Sequence, residues 1–352
     1  MRNYIYCVLS VCLQFSCTDI LDIERDCKES LPVSTDTVNV ETIDSLLKYG
    51  ITDPEDFIKH GQWLVVGRSY EDYQVRAINL ETKDNVRMLK FGEEKGEALG
   101  ITGMTVGAQG MVTVLDYRGR KLHELFSPLA TRSESTCTEL QLNSDEYHLS
   151  VIKGESFVIS TGVYERGRYR YYSENTKSAK YCLSYPGHPK YSNLSEKAKS
   201  ILYASSVLRL RPDNKCFVCT DMHSGIIEIC KVENDSIQRI CQRCFYYPKV
   251  KINDVGSLPY VAYYKDNISG FQDVAVSNER IYVLFSGQTY RDVQQNIGHC
   301  TNLFIFDWSG NIISSVKLSE PVYKISFDTQ DNLLYGLKGI YGKVSLVHLN
   351  VS

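Results

Sequence analysis

The sequence has little that would mark a nucleic-acid protein or a familiar enzyme. Its charges nearly cancel: 39 Lys and Arg stand against 42 Asp and Glu, for a formal net charge of -3. No basic excess is available to neutralise phosphates, so nucleic acid is not expected as a partner. Only 7 His occur, and none has the H-E-x-x-H or other paired spacing of a metal site. His123 and His148 fall in alternating runs and read as strand residues. Neither G-x-S-x-G nor S-x-x-K in a convincing setting is present, so a hydrolase signature is missing. The stretch GEEKGEALGITG (residues 92–103) lacks the strand-loop-helix order of a phosphate cradle and reads as a loop between sheets. Methionine is scarce, at 5 against 25 Tyr and 12 Phe, a balance that suits pleated sheets better than helices.

Nor does any apolar run reach the roughly 20 residues of a membrane span. The run YIYCVLSVCLQF (residues 4–15) follows a single charge, Arg2, and is the length of the apolar region of a secretory signal. It ends in FSC at Cys17, where Ser16 and Cys17 match the lipobox of bacterial lipoproteins. Gln14 stands where that pattern usually has Leu. Cys17 is therefore the expected lipidation site, residues 1–16 the signal peptide and 17–49 a tether. A plain secretory signal is the competing reading, and it lacks an A-x-A cleavage site.

Twelve Cys occur in the chain. With Cys7, Cys12 and Cys17 set aside, nine remain, and an odd number cannot all pair within one chain. Mostly buried thiols are expected, with one or two bridges unassigned. Cys216-x-x-Cys219 and Cys241-x-x-Cys244 approach zinc-ribbon spacing. Cys216 and Cys219, however, sit in the extended run KCFVCTD, where residues three apart face opposite sides, so no metal or other cofactor is expected.

The remaining length is written in repeats. VTVLDYRGRKLHEL (residues 112–125) and LFIFDWSGNIISSVKL (residues 303–318) both read apolar run, Asp, aromatic, one residue, Gly, alternating run. This is a β-hairpin pattern, with Asp bonding its own turn and Gly119 and Gly310 expected at positive φ. Weaker copies start at Tyr73, Arg166, Gly225 and Tyr341. A second set of hairpins precedes them at residues 101–115, 147–161, 207–221, 270–287 and 321–337. Each unit is thus four alternating strands, about six units in all. Four-stranded sheets repeated about an axis are propeller blades. The predicted fold is all-β, a six-bladed β-propeller over residues 50–352 of the TolB-like or NHL-like kind; an irregular β-sandwich is the competing architecture. The period is irregular against the roughly 40–50 residues of common propeller repeats. Residues 185–204, 245–267 and 288–299 are insertions, and the first contains a short helix begun by Ser195. The last unit lacks a strand. Residues 38–49 fit that strand and an amphipathic helix equally well.

Together FSC, VLDYRGRKL, GFQDVAVSNERIYVLFSG and LFIFDWSGNIISSVKL make the chain similar to the TolB-like six-bladed propeller lipoproteins of Bacteroidota. The resemblance implies a propeller held in the cell envelope, at the outer membrane, by an N-terminal lipid. It brings no defined activity; fold likeness to TolB suggests interaction work in the envelope.

The candidate binding residues come from an aromatic and basic stretch. YERGRYRYYSENTKSAKY interleaves Arg168 and Arg170 with Tyr169, Tyr171 and Tyr172, and the YPGHPKY loop adds His188. Aromatic and Arg side chains are enriched where proteins bind partners, so these six residues are the expected rim. The same alternation equally describes an ordinary strand with one basic face. The expected function is a binding module for a peptide, glycan or envelope protein, with no catalytic residue assigned. The alternative is a lactonase-like hydrolase or lyase with a metal in the channel, for which Asp273 and Asn143 are the candidates.

Overall fold

The computed structural model describes residues 27, 29–34, 36–67, 72–107, 110–125, 137–142, 146–256 and 258–351. The expected signal peptide, Cys17 and Asn143 lie outside these residues. Among them, no helix is long and apolar enough to cross a membrane.

The described residues form six sheets of four or five strands, together with one two-stranded hairpin. Each of the first four is built on a four-stranded antiparallel meander in chain order, running from an inner strand outward, and the first adds a short parallel edge strand, Glu97–Ala98, beside Asn85–Phe91. Sheet 1 starts at Asp56–His60, sheet 2 at Ile101–Val106, sheet 3 at His148–Lys153 and sheet 4 at Ser206–Leu210. Sheets 5 and 6 start at Phe271–Val276 and Lys324–Asp328. These inner strands neighbour one another in sequence order, and the last returns to the first. The arrangement is a closed six-bladed propeller, not a sandwich.

Alternation explains the stacking. A strand points successive side chains to opposite faces, and here both faces meet a neighbouring sheet. In sheet 4, Cys216 and Val218 enter the core shared with sheet 5, while Phe217 and Cys219 enter the core shared with sheet 3. Cys216 and Cys219 therefore face apart, as the extended spacing requires. Six such cores lie between consecutive sheets, the last joining Tyr335, Leu337 and Leu346 to Phe57, Leu64 and Ile78 across the closure.

The closing strand comes from the N-terminal side. Val40–Ser45 pairs antiparallel with Ser345–Leu349, Val40 lying opposite Leu349. Leu46–Tyr49 then forms one 3-10 turn, with Leu46 fully buried. The segment that fits strand and helix equally well is thus strand first and turn second. Just before it, Asp36–Val38 adds a parallel strand to the outer edge of sheet 5, opposite Val316–Leu318.

The hairpin turns use their Asp and Asn as expected. Asp307 accepts hydrogen bonds from the backbone of Ser309 and Asn311, and Asn79 from Glu81 and Thr82. Gly310 has φ +89°, and a Cβ there would also lie 2.5 Å from Cys241 Sγ. Gly119 departs from the expectation. The positive φ in its turn belongs to Arg120, at +53°. Gly119 is instead required by close approach, since a Cβ would sit 2.1 Å from Asp116 Oδ2.

Candidate functional site

Concave regions among the described residues include the axial channel and a cap over sheet 4. In the channel, the inner strands are tied to one another by side chains that accept backbone N–H groups from the next sheet. Met104 N donates to Asp56 at 2.8 Å, Leu208 N to Ser150 at 3.1 Å, Ile325 N to Asp273 at 2.9 Å and Lys59 N to Ser326 at 3.1 Å. Inner strands have no ladder partner on the channel side, so a short polar side chain satisfies groups that would otherwise be buried unpaired. The carboxylates near the axis are committed in this way. Asp273 is fully buried and also holds Arg209 at 3.0 Å; Asp328 holds Lys59 at 3.0 Å. Asp273 is thus a clasp joining sheets 4, 5 and 6. The cavity of about 380 Å³ near the axis is lined mainly by apolar residues such as Phe57, Met104, Val274 and Phe327. His60, at the end of the inner strand of sheet 1, meets Gln330, in the turn after the inner strand of sheet 6, at 3.1 Å.

The cap is built from the first two insertions. Ser195 opens the helix α1, Glu196–Leu202, by accepting from Ala198 N at 3.1 Å, the start expected from SEKAKSILYA. From the second insertion, Val250–Asn253 and Tyr260–Tyr263 form the two-stranded hairpin. The insertions fold onto each other. Asp254 receives the Ser195 N–H and hydroxyl at 2.6 and 2.7 Å, and Tyr191 donates to Val250 O at 2.9 Å. Beneath them Tyr185, Leu202, Tyr203, Ile226 and Val250 make a seventh apolar core.

Within the cap is a cavity of about 630 Å³, lined by Tyr185, Pro186, His188, Pro189, Tyr191, Leu194, Lys199 and Tyr247 among others. Beside it the hairpin tip leaves apolar groups in solvent: Val255 and Leu258 are each 81% exposed and Tyr260 60%. Exposed apolar side chains grouped on one lobe are a feature of interaction surfaces.

His188 lies in this cap but is buried. Lys190 N donates to its Nδ1 at 3.2 Å, so the proton sits on Nε2, which donates to Pro248 O at 3.1 Å. Burial lowers its pKa, and the neutral ring acts as a clip between the two insertions. The other five expected rim residues are not brought together on a surface. Tyr169–Ser173 is the third strand of sheet 3, flanked by sheets 2 and 4. Arg168, Tyr169, Arg170 and Tyr171 are buried, and Tyr172 packs partly buried toward sheet 2. Arg168 instead ion-pairs with Glu228 of sheet 4.

Asp221 sits at the base of the cap, accepting from His223 N at 3.0 Å and the Ser224 hydroxyl at 2.7 Å. Its other oxygen is buried without a partner. Burial pushes its carboxyl up to about 6, partly opposed by the Ser224 hydrogen bond. An unfolded Asp titrates near 3.9, so between about pH 4 and pH 6 the native state binds more protons. This contribution to stability is present below pH 4 and is lost as pH rises through 6. Asp221→Asn should flatten that slope. Urea midpoints of both proteins at pH 4.5 and 7 will show it; an unchanged difference between the two pH values would refute the assignment.

A family model described as TolB-like 6-blade propeller-like matches residues 41–330. No curated protein matches the chain. Among solved structures, streptogramin B lyase is similar at 12% identity and TM-score 0.48, over 89% of this chain and 97% of that one. The WD40 repeats of RRP9 are similar at 10% identity and TM-score 0.46, over 92% and 100%. A catalytically inactive virginiamycin B lyase from Staphylococcus aureus, with quinupristin, is similar at 12% identity and TM-score 0.47, over 85% and 80%. With its match over 41–330 and six meander sheets closed into a ring by Val40–Ser45, the chain belongs to the TolB-like six-bladed propeller family.

Proposed function

We propose that the chain is an envelope binding module, held to the outer membrane by a lipid on Cys17, that takes a peptide or glycan segment in the cap over sheet 4. The single observation that carries the binding reading is the cap: an aromatic cavity of about 630 Å³ beside an exposed apolar tip. Half-buried Tyr191 and Tyr247 turn ring surface to the cavity, with buried Tyr185 behind them. Such groups suit sugar rings, prolines and aromatic side chains, and little side-chain entropy is lost in using them. Lys199 brings a charge to the lining, already paired with Glu196 at 2.7 Å, so the site favours a ligand of low charge. The anchor reading is supported by Arg2, the apolar run after it and FSC at Cys17, and it would present the cap to other envelope components.

Leu258→Asp and Tyr260→Ala lie at exposed positions and should leave unfolding unchanged. Each should weaken capture of an envelope-derived peptide or glycan by about tenfold. Immobilised peptide and glycan arrays, probed with the full chain and both variants, measure this. Equal binding by wild type and both variants would count against the cap.

A further inference from the structure

The N-terminal strap runs along the outer edges of three successive sheets. Val40–Ser45 closes sheet 6 and Asp36–Val38 lies on sheet 5. Ser34 meets Ser315 at 2.6 Å, and Leu31 packs against the core between sheets 4 and 5. Glu29 accepts from Arg243 Nε at 2.6 Å. Next, Cys27 Sγ lies 2.8 Å from Cys244 Sγ, at the end of the outer strand of sheet 4. We propose that Cys27 and Cys244 form a disulfide that fastens this strap to the propeller beneath the cap.

Both residues are half-buried thiols in the structure. A bonded sulfur pair is about 2.05 Å apart, so less than an ångström of travel closes the gap. The strap can supply it, because Cys27 belongs to no strand. Other cysteines have different neighbours. Cys137 faces His123 at 3.5 Å, Cys219 accepts from Arg168 at 3.4 Å, and Cys300 donates to Gly298 O at 3.4 Å. The chemistry is a two-electron oxidation. One thiolate attacks a disulfide oxidant, either an oxidoreductase or oxidised glutathione, and displaces one of its thiols. The second cysteine then attacks the mixed disulfide and expels the other thiol. Two protons and two electrons pass to the oxidant's sulfurs, one S–S bond forms and one breaks, and the oxidant ends as a reduced dithiol or as two molecules of glutathione. An exported chain meets such oxidants.

The bond would have two consequences. It closes a loop between residues 217 apart in sequence, a long constraint on the unfolded chain. It also reaches the cap, since Cys244 packs partly buried into the same apolar core as Tyr185, Tyr203 and Tyr247. The inference does not depend on what the cap binds.

Peptide mapping tests it. The full chain is incubated with oxidised glutathione, its remaining thiols are alkylated, and it is digested without reductant. The expected product is one reducible pair of peptides carrying Cys27 and Cys244 in most molecules. Reduction should also lower the thermal midpoint by several degrees in wild type and leave Cys27→Ser unchanged. Alkylation of both cysteines, or pairing of either with a different cysteine, would overturn the proposal. If Cys27→Ser does not fold, the wild-type map decides the matter alone.

Discussion

Glu228→Gln should destabilise the protein by about 3–5 kcal/mol, the cost of leaving a buried charge without its partner. It should be worse than Arg168→Met. Arg168 is 1% exposed and Glu228 fully buried. The two are in direct ion-pair contact. Tyr169 donates its hydroxyl to the same carboxylate at 2.8 Å, and Arg239 approaches from the other side at 2.7 Å. Two cations thus converge on one carboxylate at the junction of sheets 3 and 4. An amide there compensates neither, and a guanidinium cannot escape by losing its proton. Removing Arg168 is milder. Glu228 would keep Arg239 and the Tyr169 hydroxyl as partners. The double variant Arg168→Met, Glu228→Gln should recover part of the loss. Urea midpoints of the three variants give the order; if Arg168→Met proves the most damaging, packing of its side chain outweighs charge at this junction.

That same pair shows where sequence reading reached its limit. The alternation of Arg and Tyr from Arg168 to Tyr172 reveals a strand, and a strand with one basic face suggests exposure. Exposure depends on which strand of a blade it becomes. A third strand inside a ring is covered on both faces, and the acid that neutralises Arg168 comes from a different sheet, 60 positions away in the chain. Periodicity carries no information on that pairing. The repeated Asp-aromatic-x-Gly units, by contrast, were sufficient to place the hairpins around Asp116 and Asp307, because a turn is a local event decided by its own few residues. At Gly119 the turn pattern points to φ, whereas the constraint is the Asp116 carboxylate. The first hairpin of sheet 1, Asp56–His60 with Trp63–Gly67, gave no alternating signal, since nearly every residue in it is buried. Both insertions of the cap were visible as insertions and the helix at Ser195 was legible from its cap residue. That they fold together into a seventh core was not, because the contacts that join them run between segments some 60 residues apart.

A chain beginning at residue 46 should fail to give a soluble cooperative fold, while one beginning at residue 35 should fold. The first lacks Val40–Ser45, and five cross-strand pairs with Ser345–Leu349 vanish with it. It also lacks Val40, which is 4% exposed and packs in the core with Leu334, Val347 and Leu349. Burying one Val is worth about 1.5–3 kcal/mol, and ladder hydrogen bonds about 0.5–1.5 kcal/mol each. Together they approach the roughly 5 kcal/mol at the lower end of domain stabilities. The loss also uncovers Ser345–Leu349 as an unpaired edge, a template for pairing between molecules. The second chain keeps Asp36–Val38 and Val40–Ser45 and loses the strap ahead of them, including Glu29 and Cys27, so its ring still closes. Size-exclusion chromatography and thermal unfolding of the two truncations separate these outcomes. A monomeric protein from residue 46 onward with the full-length midpoint would mean that the ring holds through its inner strands alone, with Val40–Ser45 a passenger on its rim.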